Sequence, residues 1–180
     1  MKHTCLSLIT GAMCVISAQG ADDTASHTLP PIQQASSGSI DRQYVYSPQL
    51  GENWTIDVWL PDSYASDPNT RYPVIYMHDG QNLFDAETTW NHQAWEMDSV
   101  TGSLIANGLI QPPIIVGIHS HADTRKGDLM PQKAVADARI TQAQLDSLMG
   151  GIPIRGDAYA RFIVETLKPQ IDSIYHTLPD

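Results

Sequence analysis

The chain has 180 residues, 42% hydrophobic and 17% charged, the proportions of a globular domain and not of a disordered or collagen-like chain. Acidic side chains outnumber basic ones by 20 to 10, for a formal net charge of -10. That balance argues against nucleic acid as a partner, because binding there depends on Lys and Arg neutralising phosphates.

The first twenty residues read as a secretory signal. Lys2 supplies positive charge, Cys5 to Ala18 is an apolar stretch, and Ala18, Gly20 and Ala21 are small enough for a signal-peptidase site. The stretch is too short and too rich in Ser, Thr and Gly for a membrane span, which needs about twenty mainly apolar residues. A periplasmic or secreted protein with no membrane span after signal removal is expected. Both cysteines, Cys5 and Cys14, lie inside this segment, so the mature chain would hold no thiol, disulfide or cysteine metal ligand. Cleavage takes away one lysine and no acid, moving the charge from -10 to -11.

Residues 21–38, rich in Ser, Thr, Asp, Gln and Pro, read as a flexible linker, and residues 39–180 as the folded domain. Ile40 to Tyr46 and Trp54 to Leu60 alternate, with Trp54, Ile56, Val58 and Leu60 on one face. The turn residues Ser47-Pro48 and Gly51-Glu52-Asn53 between them make an antiparallel hairpin. Two continuous apolar runs follow, Tyr72 to Met77 and Ile114 to Ile118, and both read as central parallel strands buried on two faces. Between them Met97, Val100, Leu104 and Ile105 recur at helical spacing, and Asn107-Gly108 stops the helix. A last helix carries Ala160, Ile163, Val164, Leu167, Ile171, Ile174 and Tyr175 behind Asp157 as N-cap. Pro169 inside it predicts a kink or a restart. Hairpin, strand, helix, strand, helix is the opening of an α/β sheet with helices on both faces.

In such sheets ligands bind beyond the carboxyl ends of the strands. His78-Asp79-Gly80-Gln81-Asn82 leaves one of these ends and His119-Ser120-His121-Ala122-Asp123 the other. Adjacent residues of a strand point to opposite faces, so His78 and Asp79 are poorly placed to pair as a catalytic dyad.

The run Tyr72-Pro73-Val74-Ile75-Tyr76-Met77-His78-Asp79-Gly80-Gln81-Asn82-Leu83-Phe84-Asp85 resembles the signature after the third strand of the putative esterase family. This α/β-hydrolase group includes feruloyl and acetylxylan esterases, enterochelin esterases and mycolyltransferases. Weaker likenesses follow in the same order: Trp95 with Asp98, Pro113 to Ile118, Arg125 through Asp128 to Pro131, and Gly156 through Tyr159, Phe162 and Leu167 to Pro169 and Tyr175. The resemblance spans roughly residues 40 to 180 and implies the N-terminal half of an α/β-hydrolase fold with an incomplete sheet. It implies that the Gln81 backbone N–H serves the oxyanion hole, that Gly80 permits the tight turn, and that His78, Asp79, Gly80 and Asn82 form the cleft floor. The stretch departs slightly from the family, in which a Glu-Tyr pair is usual where this chain has Asp128-Leu129; Arg125 and Asp128 either pair to order their loop or lie on a solvated surface.

The nucleophile of this fold sits in a Gly-x-Ser-x-Gly turn. No serine of the chain has glycine two places before it, so the resemblance implies an N-terminal portion that lacks the nucleophile and the later acid and histidine, and is inactive alone. The complete enzyme would hydrolyse a small-molecule or carbohydrate ester with no cofactor and no metal. Two alternatives use the same residues. A non-catalytic carbohydrate-binding or scaffolding protein would present Trp54, Trp59, Trp90 and Trp95 to sugar faces. A metal-dependent hydrolase would use His119 and His121, with Asp123, His78 and Asp79 nearby.

Overall fold

A computed structural model describes residues 30–178. The signal segment 1–20 and the first part of the linker lie outside the described residues. The two alternating runs form β1 (Ser39–Ser47) and β2 (Glu52–Leu60), antiparallel with Ser39 opposite Leu60 and Ser47 opposite Glu52. Gly51, at φ 75°, closes the turn between them by donating its N–H to Ser47 O at 2.8 Å. A left-handed residue there is most easily glycine.

The apolar runs form β3 (Val74–His78) and β4 (Ile114–Ile118). The sheet order is β1-β2-β4-β3, with β2 antiparallel and β3 parallel to β4. Every residue of β4 is buried, as the absence of polar alternation predicts. The same reading fails for β3. Among the described residues β4 is its one strand neighbour, so β3 is an edge and Ile75 is 43% exposed. The reading of β2 holds for the expected face, and the other face is covered as well. Trp54, Ile56 and Val58 are buried on one face, and Asp57 and Trp59 are buried on the other, because β2 lies inside the sheet with material packed on both sides.

Helices supply one of those covers. α2 (Gly156–Arg161), a π-helical segment (Phe162–Leu167) and α3 (Lys168–Ile174) run on without a break. They bury Tyr159, Phe162, Leu167, Ile171 and Tyr175 against Ile56, Val58 and Val116. Pro169 has no N–H to give and its ring crowds the carbonyl four residues back. The widened turn just before it answers this: Lys168 N–H reaches back five residues to Ile163 O, and the α-helix resumes with Pro169 in its first turn. The extra residue shifts the buried stripe, so the step from Phe162 to Leu167 is five, and Val164 and Ile174, both expected inside, are exposed. Asp157 is not the N-cap either. Arg155 holds that position, and the Asp157 N–H is capped from outside by the Gln132 side-chain oxygen at 2.5 Å.

The second face is covered by α1 (Met97–Ala106) and the residues leading into it, which pack Leu83, Phe84, Met97 and Ile105 on Trp59 and Ile115. Gly108, at φ 67°, ends α1 by donating to Ile105 O, with Leu109 N–H on Leu104 O. Val100 is exposed, contrary to the periodic reading, while Asp98 and Thr101 are buried. Asp98 is turned inward because its carboxylate accepts from the Ser36 N–H at 2.5 Å and the Ser36 hydroxyl at 2.7 Å. The described part of the linker, residues 30–38, has no regular secondary structure along most of its length and is fastened to the domain by such bonds.

The free side of β3 faces an apolar groove of about 610 Å³ lined by Val74, Tyr76, Ile163, Val164 and Leu178. At its foot the last described residues begin to pair alongside: Tyr72 N–H donates to His176 O and Leu178 N–H to Tyr72 O, a parallel bridge. An edge strand next to apolar surface favours association. The 180-residue chain is therefore expected to elute from a sizing column above monomer size at micromolar concentration. Ile75→Lys, a charge on that edge, should shift it toward monomer; monomeric elution of the unmodified chain would contradict this.

Candidate active site at the strand ends

β3 stops at His78 and the chain turns sharply. Asp79 adopts left-handed geometry (φ 56°, ψ 43°), uncommon outside glycine, and Gly80–Asn82 form one tight 3-10 turn. Asn82 N–H donates to Asp79 O at 2.8 Å and Leu83 N–H to Gly80 O at 3.4 Å, so neither bond consumes the Gln81 N–H. Glycine at position 80 is a packing requirement: a Cβ there would lie 2.4 Å from the Gly117 carbonyl carbon and 2.8 Å from Ile118 N.

Asp79 is held in its unfavourable backbone by two groups from the end of β4. Arg125 grips its carboxylate with Nε on Oδ1 and Nη2 on Oδ2, both at 2.6 Å, and the Ser120 hydroxyl donates to Oδ1 at 2.5 Å. The Arg125 hydrogen bond, against burial, keeps the Asp79 carboxyl below its ordinary value. Ser120 N–H also donates to the Gln81 side-chain oxygen at 3.0 Å. His78 looks the other way, with Nδ1 2.9 Å from the Tyr159 hydroxyl. Burial, with the nearby charges of Asp128 and Asp79, raises the Tyr159 pKa, so this phenol stays protonated.

Beneath the turn is a buried polar hub that periodicity does not announce. Asp57 accepts from Arg42 Nε at 2.6 Å and Nη2 at 2.7 Å, from the Gln33 side-chain amide at 2.7 Å, and lies 2.8 Å from His119 Nε2. Burial alone would push the Asp57 carboxyl up, but the bonds from Arg42, His119 and Gln33 reverse this and hold it far below the usual carboxylate range. One signal was legible: a carboxylate within the apolar run of β2, between Ile56 and Val58, needs a partner if both faces are covered.

Arg125 and Asp128 do not pair with each other; Arg125 lies at the exposed surface, whereas Asp128 is buried. Arg125 crosses to Asp79, while Asp128 accepts from Arg155 Nε at 2.7 Å and takes the Thr124 hydroxyl at 2.8 Å. The two histidines after β4 are likewise separated. His119 points to Asp57, and His121 stacks on Trp54 with ring centroids 4.5 Å apart. Among the described residues no group of three or more His, Cys, Asp or Glu side chains is placed to hold a metal ion. Of the four tryptophans, Trp54 and Trp59 are fully buried in the two cores and present no face; Trp90 is 86% and Trp95 51% exposed. Trp95 sits beside the turn through its N–H on Asn82 O at 2.8 Å.

A pocket of about 320 Å³ opens between His78 at the end of β3 and the start of the last helix, lined also by Asp128, Leu129, Pro131, Tyr159 and Ile163. A turn whose own hydrogen bonds leave a backbone N–H unused at the carboxyl end of a parallel strand is equipped to donate to charge that develops on a bound oxygen. Of the hydroxyls near it, Ser120 donates to the Asp79 carboxylate, and that of Tyr159 lies against the His78 ring nitrogen.

The family model described as "Putative esterase" matches residues 47–180. No curated protein matches the sequence. Among solved structures the chain is similar to an IroE-like serine hydrolase from Shewanella oneidensis, at 25% identity and TM-score 0.57 over 77% of this chain and 40% of that one. The BES protein from Bacillus cereus is similar at 22% identity and TM-score 0.52, over 82% of this chain and 50% of that one. A CE1 ferulic acid esterase from Anaeromyces mucronatus follows at 17% identity and TM-score 0.50, over 83% and 48%. The fold is that of α/β-hydrolases, with a four-stranded, incomplete sheet, and the chain spans half or less of the length of these structures.

Proposed function

Because the chain belongs to the putative esterase family, we propose that it is the oxyanion-bearing, amino-terminal part of a serine carboxylic-ester hydrolase. The observation that carries the reading is the rigid Gly80-Gln81 turn, whose Gln81 N–H the turn's own hydrogen bonds leave unused. In acyl transfer the carbonyl oxygen gains negative charge as the tetrahedral intermediate forms. A donor already fixed toward it needs no reorganisation and contributes about 3–4 kcal/mol to lowering the barrier. His78, Asp79, Gly80 and Asn82 form the floor on which the acyl group lies. The attacking serine, its base and its acid come from outside these 180 residues, since no Gly-x-Ser-x-Gly is among them. Water would resolve the serine ester. The substrate is a small-molecule or carbohydrate ester, and the signal-like first twenty residues support a periplasmic or secreted site of action.

The 180-residue chain is expected to hydrolyse neither p-nitrophenyl acetate nor methyl ferulate above the buffer rate, with no serine labelled by a fluorophosphonate probe. Serine-dependent turnover would overturn the reading. In a protein that continues this sequence through a Gly-x-Ser-x-Gly turn, Gln81→Pro removes the N–H and should lower kcat by about 10²–10³. An unchanged kcat there would remove Gln81 from the mechanism.

A further inference from the structure

Gln33 lies in the stretch whose composition reads as a linker, yet it is 2% exposed and joins three separate segments. Its amide nitrogen donates to Asp57 Oδ2 at 2.7 Å and to the Gly80 carbonyl at 2.8 Å, and its amide oxygen accepts from Phe84 N–H at 3.1 Å. A carboxylate such as Asp57 only accepts, so the nitrogen must face it and the oxygen must face the Phe84 N–H.

The Gly80 carbonyl is one end of the peptide group whose other end is the Gln81 N–H. That group is planar and trans, so its C=O and N–H point in opposite directions, and fixing one fixes the other. We infer that Gln33 is a positioning residue of the acyl site, gripping the Gly80 carbonyl so that the Gln81 N–H is aimed at the oxyanion and cannot flip. The inference rests on the esterase reading for what the N–H does, and on geometry alone for what holds it.

The grip is itself anchored. Arg42, whose side chain is buried on Asp57, donates from Nη1 to the carbonyls of Pro30 and Pro31 at 2.5 and 2.9 Å. Gln34 N–H donates to Asp85 Oδ2 at 3.0 Å, Ser36 is tied to Asp98, and the Trp59 indole donates to Ser37 O at 2.6 Å. Residues 30–38 therefore form a strap bonded on both sides of Gln33, and the aim of the Gln81 N–H runs through Arg42 and His119 to Asp57, then Gln33, then Gly80. Arg125 and Ser120 hold the same turn from the opposite side through Asp79.

Amide hydrogen exchange by NMR on the ¹⁵N-labelled 180-residue chain tests this without ester chemistry. Gln33→Met keeps the volume and removes the polar atoms. It should speed exchange at Phe84, Leu83 and Asn82 by about tenfold and displace the Gln81 amide resonance, while hairpin amides such as Val45 stay unchanged. A merely structural role would instead accelerate hairpin and turn together. Equal acceleration everywhere, or no change at the turn, would overturn the inference. Should the variant not fold, the unmodified chain decides: the amides of Gln34, Ser36 and Phe84 should open together, and a Phe84 amide protected while the strap exchanges freely would overturn it. A chain that passes this test but whose continuation lacks ester turnover loses the esterase reading and keeps the strap.

Discussion

Asp57→Asn is expected to lower the unfolding midpoint by on the order of 10 °C. The substitution keeps the shape of the side chain but removes the charge that compensates Arg42, whose side chain is 3% exposed. Breaking a buried pair from one side costs about 3–5 kcal/mol, because the remaining ion is left without its counter-charge. For a domain of this size each kcal/mol moves the midpoint by about 2–4 °C. Asp57 also faces His119 and Gln33, so the asparagine amide must turn an N–H toward groups that are themselves donors. Adding Arg42→Gln to Asp57→Asn should restore part of the loss, since the two residues share one interaction and their effects do not add. Thermal melts of the two single variants and the double variant decide this, and strict additivity would contradict it.

The same carboxylate gives a signature in acid. Its folded pKa is depressed, so its contribution to stability is complete above the ordinary carboxylate value of about 4 and is lost as pH falls below that toward the folded value. Denaturant titrations at pH 5 and pH 3 should show the unmodified chain losing more stability over this interval than the Asp57→Asn variant. Equal losses would mean that Asp57 does not carry the pH dependence.

Gly80→Ala is expected to destabilise the chain by about 3 kcal/mol or to prevent soluble expression, because the added methyl group meets backbone and not a side chain that could swing away. The nearest atoms are the carbonyl carbon of Gly117 at 2.4 Å, its oxygen at 2.6 Å and the nitrogen of Ile118 at 2.8 Å, all in the central strand. Gly150→Ala is the informative comparison. Its position is left-handed at φ 62° but has no atom within 4 Å, so only the conformational cost of about 1 kcal/mol applies. If both variants melt alike, the close approach of the turn to β4 is not what requires glycine at position 80.

The hairpin, β4, the start and stop of α1 and the last helix were readable because each follows from a periodicity or a local terminator within a few residues. What escaped depends on partners far along the chain. Gln33 meets Gly80 47 residues away, and Arg125 meets Asp79 46 residues away, and nothing in the surrounding composition marks either residue. A Ser-, Gln- and Pro-rich segment reads the same whether it is free or docked, because its attachments are hydrogen bonds and not an apolar stripe. The phase error in the last helix has a local cause that was half visible: Pro169 announced a disturbance, but not that it would be absorbed by a widened turn upstream. Of the site, the turn and its glycine were legible from the resemblance, and of the hub beneath it only the place of Asp57 between Ile56 and Val58 gave a sign.

That widened turn shifts the rotational phase between the two ends of the helix. Upstream of it, Tyr159 meets His78 at the mouth of the pocket; downstream, the Tyr175 hydroxyl reaches Asp41 on the outermost strand at 2.7 Å. One residue of α-helix corresponds to a rotation of about 100°. Deleting a single residue between Phe162 and Leu167 would restore a regular helix and turn one of these two tyrosines off its partner, so the irregularity sets the phase that lets both be seated at once.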